Sequence, residues 1–210
     1  MEKKRFVFDL DGTLLTGNYQ LELEYFSSIY KEDGRYITER IGPILDLYEE
    51  QFFKYDRLDL CKFMEEQLQV PFSSSVLEGW IQIIGDEIDD SIEEGVFDTL
   101  EYLKSHDKSI VVLTNWFRET QITRLKRKNL VPYFDDIYTG DIFVKPHRRA
   151  YLLAKGDYQA SECVFIGDNI QKDYYGPRSY NMESILYDKD EKCSKKLVKI
   201  KNMKEIIERY

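Results

Sequence analysis

Residues 8–14 read Phe-Asp-Leu-Asp-Gly-Thr-Leu, FDLDGTL, and they continue a short apolar run, Phe6-Val7-Phe8. Apolar residues on successive positions suit a strand, residues 6–9, buried on both faces of a parallel sheet. The run ends on two acids spaced by one residue, Asp9 and Asp11, followed by Gly12 and Thr13. An Asp or a Thr closing a strand is, taken singly, a turn former or a helix cap. Two carboxylates at a buried edge are a different matter, because they are costly without a metal or a cation beside them.

Working outward, residues 110–114, 163–167 and 184–187 repeat the short apolar run, and 136–139 does so more weakly. Helical spacing fills the intervals: Phe97, Leu100 and Leu103 share one face, Ile122 and Leu125 another, and Ala150, Leu153 and Ala154 a third. Such alternation predicts an α/β fold, a doubly wound parallel sheet. Ligands of an open parallel sheet bind beyond the carboxyl ends of its strands. Polar clusters fall at four such ends: Asp9 to Thr13, Thr114 with Asn115, Lys145 before Pro146, and Asp168 with Asp173 in GDNIQKD. Thr114 or Lys145 alone reads as a cap or a loop residue. The four clusters in this order read as one site.

Residues 16–92 break the alternation. They hold no clear strand, only helical blocks: Ile41, Ile44, Leu45, Tyr48 and Phe52; then Leu60, Phe63, Met64 and Leu68, closed by Pro71; then Leu77, Trp80, Ile81 and Ile84. An all-helical insertion after the first strand accounts for them. Near the end of the sequence, Asn202 and Glu205 form a capping pair for a last helix.

The 210 residues are 42% hydrophobic and 14% aromatic, the composition of a packed globule. Net charge is −9, and residues 14–93 hold 18 acids against 6 bases. That field does not suit nucleic acid, whose phosphates need a basic surface. No apolar run reaches membrane-spanning length, and two acids interrupt the only candidate leader. Cys61, Cys163 and Cys193 are odd in number and far apart, as free thiols in a cytoplasmic protein are. The bases Arg118, Arg124, Lys126, Arg127 and Lys128, and the tail lysines Lys192, Lys195, Lys196 and Lys199, read as solvated faces. His147 reads as a helix start. Tyr25, Tyr30, Tyr36, Tyr48, Phe52 and Phe53 read mostly as core of the insertion, with one or two lining a pocket.

The four clusters resemble the four motifs of the haloacid dehalogenase-like hydrolase superfamily, and the helical insertion resembles the C1-type cap of its phosphoglycolate-phosphatase-like branch. The resemblance implies a Rossmann-like core of residues 1–15 and 93–210, with the first strand central, under a cap of residues 16–92. It implies a Mg²⁺-dependent phosphatase acting on a small phosphate monoester. Asp9 is then the nucleophile that forms an aspartyl-phosphate, and Asp11 the acid and base. The Asp9 and Asp168 carboxylates and the Asp11 carbonyl would ligate Mg²⁺, with Asp173 supporting the metal or Lys145. Thr114, Lys145 and the backbone N–H groups around Leu10 and Asn115 would hold the phosphate. Relatives that act as dehalogenases lack the acid at the place of Asp11. A phosphomutase shares every core motif. A phosphonatase needs a Schiff-base lysine in the cap, where Lys31, Lys54 and Lys62 are the candidates. A non-catalytic phospho-ligand-binding protein needs no acid–base residue. Two departures stand out: Leu15, Thr16 and Gly17 replace an Asp-Ser pair common in relatives, which changes the cap hinge, and Gly176-Pro177 with Asn181-Met182 replace a Gly-Ala pair and a later Gly, which concerns helix geometry. The acidic cap favours a neutral or cationic leaving group, unless its acids face solvent. The oligomeric state has no signature in the sequence.

Overall fold

The computed structural model describes residues 2–210. In chain order the strands are β1 (Arg5–Phe8), β2 (Leu15–Gly17), β3 (Asp90–Ile92), β4 (Ser109–Leu113), β5 (Asp136–Tyr138), β6 (Cys163–Gly167), β7 (Glu183–Tyr187) and β8 (Lys199–Ile200). The helices are α1 (Gln20–Tyr30), α2 (Gly34–Gln51), α3 (Arg57–Leu68), α4 (Ser74–Asp86), α5 (Val96–Ser105), α6 (Arg118–Arg127), α7 (Arg148–Lys155), the short α8 (Gly176–Arg178) and α9 (Glu205–Arg209). Among the described residues six strands form one parallel sheet in the order β5-β4-β1-β6-β7-β8.

β1 is central because it is buried from both sides. Phe6 and Phe8, with Ile110, Val112, Val164 and Ile166, meet Leu100 and Leu103 of α5, Leu125 of α6 and Ile206 of α9. Val7, Val111, Leu113 and Phe165 meet Ala150, Tyr151 and Ala154 of α7 on the other face. Each large side chain so buried contributes roughly 1.5–3 kcal/mol. The continuous apolar run, rather than an alternating one, is the direct result. β1 and β4 stop one residue earlier than the sequence suggests, which leaves Asp9 and Thr114 as the first residues beyond the carboxyl edge.

Four elements escaped the sequence reading. β2 and β3 pair antiparallel, Leu15 opposite Ile92 and Gly17 opposite Asp90, where no strand was expected. Three residues are too few for a period to register. This ribbon is the stem of the insertion, and α1 to α4 hang from it. β8, two residues long, adds a sixth strand inside the lysine-rich tail. α1 was not read as a separate helix.

The insertion has its own core, including Phe26, Ile37, Tyr48, Leu60, Met64, Leu77 and Trp80. Asp56 caps α3 by accepting from the N–H groups of Leu58 and Asp59, and Ser73 caps α4 through Val76. Tyr36 and Phe53 are exposed, contrary to the reading of those aromatics as core: Tyr36 lies under Arg40, and Phe53 stacks edge-on with His147. His147 does stand at the start of α7. Ahead of α9, the Glu205 carboxylate accepts from the Asn202 N–H at 3.1 Å, while the Asn202 side chain accepts from the Lys204 N–H at 2.9 Å rather than from Glu205.

The insertion sits against the sheet domain through specific bonds. Tyr55 N–H donates to the Gly140 carbonyl at 2.7 Å, and Val144 N–H donates to the Phe53 carbonyl at 2.9 Å. Phe117 and Val144, from loops of the sheet domain, are buried in the core of the insertion. Thr120 of α6 donates to the Ile81 carbonyl of α4 at 3.2 Å.

Candidate active site

A cavity of about 290 Å³ opens where the insertion faces the carboxyl ends of β1, β4, β5 and β6. Asp9, Asp11, Thr114, Asn115, Lys145, Asp168 and Asp173 all line it. Four separate stretches of sequence therefore converge, as a parallel sheet with adjacent β4, β1 and β6 requires. Leu10 turns its side chain into the sheet core and offers only its backbone.

Carboxylate oxygens of Asp9, Asp168 and Asp173 lie within 4.8 Å of one another. Burial raises the Asp9 carboxyl well above its ordinary value; Lys145 opposes that rise, while Asp173 and Asp168 add to it. Asp168 keeps some contact with solvent, yet desolvation and Asp173 push it up to about 6 against the pull of Lys145. Such mutual repulsion is what a divalent cation relieves, and an all-oxygen donor set suits Mg²⁺. The Asp11 carbonyl accepts no hydrogen bond among the described residues and is free to join that set. Gly12 belongs to the cradle: at φ +72° it leaves room for Asp168, whose Oδ2 would lie 2.4 Å from an added Cβ.

Lys145 is buried, with Nζ 2.7 Å from Asp9 Oδ1 and 2.7 Å from Asp173 Oδ1. Burial alone would lower its pKa, but the two acids raise it, so the ammonium stays charged. Asp173 has both oxygens engaged, the second accepting from Asn169 N–H at 3.0 Å. The N–H groups of Leu10 and Asn115 have no acceptor among the described residues; Asn115 lines the cavity, and Leu10 directly follows Asp9 in the chain. The Thr114 hydroxyl donates to the Asn115 carbonyl and accepts from Gln121. The Asn115 side chain does something the sequence did not suggest: it bonds both the N–H and the carbonyl of Lys145.

Asp11 turns away from the three-acid cluster. Its carboxylate meets Arg124 Nη1 at 2.6 Å, Gln121 Nε2 at 2.8 Å and the Tyr19 hydroxyl at 2.8 Å. Desolvation would raise its pKa, yet Arg124, Gln121 and Tyr19 together bring it below the usual carboxylate range. Arg124 corrects the reading of the α6 bases as a solvated face. It is 1% exposed and also grips Asp90 of β3, itself buried. The signal was present in α6, where the buried residues Thr120, Gln121, Arg124 and Leu125 fall on one stripe. Charge alone hid it.

The roof of the cavity comes from the insertion. Tyr19, Glu22, Leu45, Glu49, Tyr55, Trp80 and Ile84 line it, joined by Trp116 and Lys172 from the sheet domain. None of the six aromatics singled out in the sequence is among them. Trp116 holds φ +82°, a strained position fixed by Gly140, whose N–H bonds the Trp116 carbonyl at 2.8 Å. Most acids of the insertion face solvent, so the negative field seen in the sequence is mainly surface, but Glu22 and Glu49 point to the cavity.

Known proteins fit this picture. The chain is 27% identical over 184 residues to the pyrophosphatase PpaX of Bacillus cereus, covering 80% of this chain and 76% of that protein. It is 30% identical over 98 residues to a ribulose-1,5-bisphosphate 5-phosphatase of Halopiger xanaduensis, covering 45% of this chain and only 41% of that protein. Among solved structures, the magnesium-bound HAD-hydrolase YfnB of Bacillus subtilis superposes with a TM-score of 0.73 at 17% identity, covering 100% and 99% of the two chains. L-2-haloacid dehalogenase of Xanthobacter autotrophicus superposes at 0.66 with 19% identity, over 88% and 77%. No helix among the described residues is long and apolar enough to cross a membrane. A family model matches residues 3–179, so the chain belongs to the haloacid dehalogenase-like hydrolases.

Proposed function

We propose that this hydrolase is a Mg²⁺-dependent phosphatase of a small phosphate monoester, with Asp9 as nucleophile. The observation that carries the reading is the convergence of Asp9, Asp168 and Asp173 with Lys145 between two of them. Two curated relatives are phosphatases of phosphorylated or pyrophosphate substrates, which supports the same reaction class.

Phosphoryl transfer needs an in-line nucleophile, neutralisation of the phosphoryl oxygens and a proton for the leaving oxygen. Asp9 attacks phosphorus as the ester P–O bond breaks, and Asp11 gives its proton to the leaving alcohol. Asp11 then takes a proton from water, which attacks the aspartyl-phosphate and releases phosphate from Asp9. Arg124 keeps Asp11 ionised beforehand; the arriving phosphate dianion raises its proton affinity, and Asp11 takes up a proton from solvent as the substrate binds, which is the proton it then donates. Lys145 and the N–H groups of Leu10 and Asn115 bind phosphoryl oxygens, with Thr114 closing that side. Asp173 holds Lys145 rather than the substrate. Mg²⁺, held by Asp9, Asp168 and the Asp11 carbonyl, supplies charge neutralisation when bound.

The cap lysines Lys31, Lys54 and Lys62 do not line the cavity, which removes the support for a phosphonatase. Asp11 stands against a dehalogenase. A screen of phosphate esters with Mg²⁺, using Asp9→Asn as control, tests the proposal. Phosphate release should vanish in that variant, and release at the wild-type rate would exclude Asp9 as nucleophile.

A further inference from the structure

Two carboxylates of the insertion reach the cavity, and they are treated differently. Glu49 is paired with Lys172 and accepts from the Tyr55 hydroxyl. Glu22 accepts only from the indole N–H of Trp80, at 2.8 Å. Among the described residues no lysine or arginine lies within ion-pairing distance of it. The other acids of the cavity are all accounted for: Asp9 and Asp173 by Lys145, Asp11 by Arg124, and Asp168 by the three-acid cluster. Glu22 is therefore, among the described residues, the cavity carboxylate that has neither an ion pair nor a place in the three-acid cluster.

Its surroundings suit an organic cation. Trp80 and Trp116 lie with ring centroids 4.6 Å apart at 60°, and Tyr55 packs 5.3 Å from Trp116. All three line the same cavity as Glu22. Aromatic faces attract ammonium groups, and a carboxylate beside them strengthens the site. The 290 Å³ volume falls at the small end of ligand pockets, about 300–1,000 Å³. We propose that the substrate is a phosphomonoester of a small amino alcohol, its protonated amine held between Glu22 and the Trp80 and Trp116 rings while its phosphate lies over Asp9. This rests on the phosphatase reading for the phosphate end only. A leaving group carrying a second phosphate or a carboxylate would face Glu22 as a like charge.

Glu22→Gln separates charge from structure, because the amide oxygen still accepts from Trp80. The substrates are 2-aminoethyl phosphate, 2-hydroxyethyl phosphate and propyl phosphate, with Mg²⁺. The amine ester should exceed both others in kcat/KM by about tenfold or more, and Glu22→Gln should erase that preference through KM. Equal values for the three esters, a preference for the hydroxyl ester, or a preference unchanged in Glu22→Gln would each overturn the proposal. Calorimetry on the Asp9→Asn protein, with and without Glu22→Gln, reads the same selectivity without turnover. Amine-selective binding that depends on Glu22, together with a wild-type protein that hydrolyses none of the esters, would sustain the proposed ligand and sink the phosphatase reading alone. Binding without selectivity would overturn the ligand.

Discussion

Asn115 clasps the backbone of Lys145 from both sides: its Oδ1 accepts from the Lys145 N–H at 2.8 Å and its Nδ2 donates to the Lys145 carbonyl at 3.0 Å. The pair ties the loop after β4 to the loop after β5 and so sets where the buried ammonium stands. Asn115→Ala leaves both backbone groups without these partners. It should cost about 1–3 kcal/mol of stability in urea unfolding. Turnover should fall further than that loss of folded protein explains, by about tenfold or more, because the proposed phosphate-binding cation is misplaced. Asn115→Asp keeps the acceptor and loses the donor, and should lie between the two.

Arg124 joins Asp11 at 2.6 Å and Asp90 at 2.7 Å, linking the proposed acid–base residue to the ribbon strand at the root of the insertion. Removing one partner of a buried ion pair is strongly destabilising, so Arg124→Met should cost about 3–5 kcal/mol in chemical denaturation. Arg124→Met with Asp90→Leu removes the stranded charge and should recover much of that stability. It should not recover turnover, because Asp11 still lacks its guanidinium. Full activity in the double variant would remove Arg124 from the positioning of Asp11.

Mg²⁺ should raise the melting temperature, since binding to the folded state alone stabilises it by mass action. Asp168→Asn should abolish the shift, and chelation should stop phosphate release in the wild type. Gly12→Ala is expected to behave like Asp168→Asn. Its Cβ would stand 2.4 Å from Asp168 Oδ2 at a backbone angle that side chains disfavour. A normal Mg²⁺ shift in either variant would place the metal elsewhere.

Burial pushes the Glu22 carboxyl up to about 7; its bond from Trp80 and the Arg124 charge oppose the rise, and Asp11 adds to it. A bound ammonium favours the carboxylate and lowers that value. Between the lowered and the free value, binding must expel a proton, so affinity for an amine ester rises with pH towards about 7 and levels off above it. The phosphate group titrates nearby, at about 6, and the 2-hydroxyethyl ester, which carries the same phosphate on an uncharged leaving group, corrects for it. Calorimetry in buffers of different ionisation enthalpy, on the Asp9→Asn protein near pH 6, should show the extra released proton for the amine ester alone.

The sheet domain and the residues that converge on its carboxyl edge were readable from the chain alone. Its strands are continuous apolar runs because both faces of a parallel sheet are covered, and each run ends at an edge where a polar residue has no local use. That is why Asp9, Thr114, Lys145 and Asp168 were legible before any coordinate. The remaining features depend on how distant segments pack together. Arg124 reads as one base among several on α6, and its burial follows from Asp90, which lies 34 positions earlier in the chain and reaches it through a ribbon too short to show a period. Asn115 looks like a phosphate contact until the fold brings the backbone of Lys145 against its amide. Glu22 is one of many acids in the insertion, and what distinguishes it is the lack of a neighbouring cation among the described residues. Pairing across distant segments is a property of packing, and no local pattern encodes it.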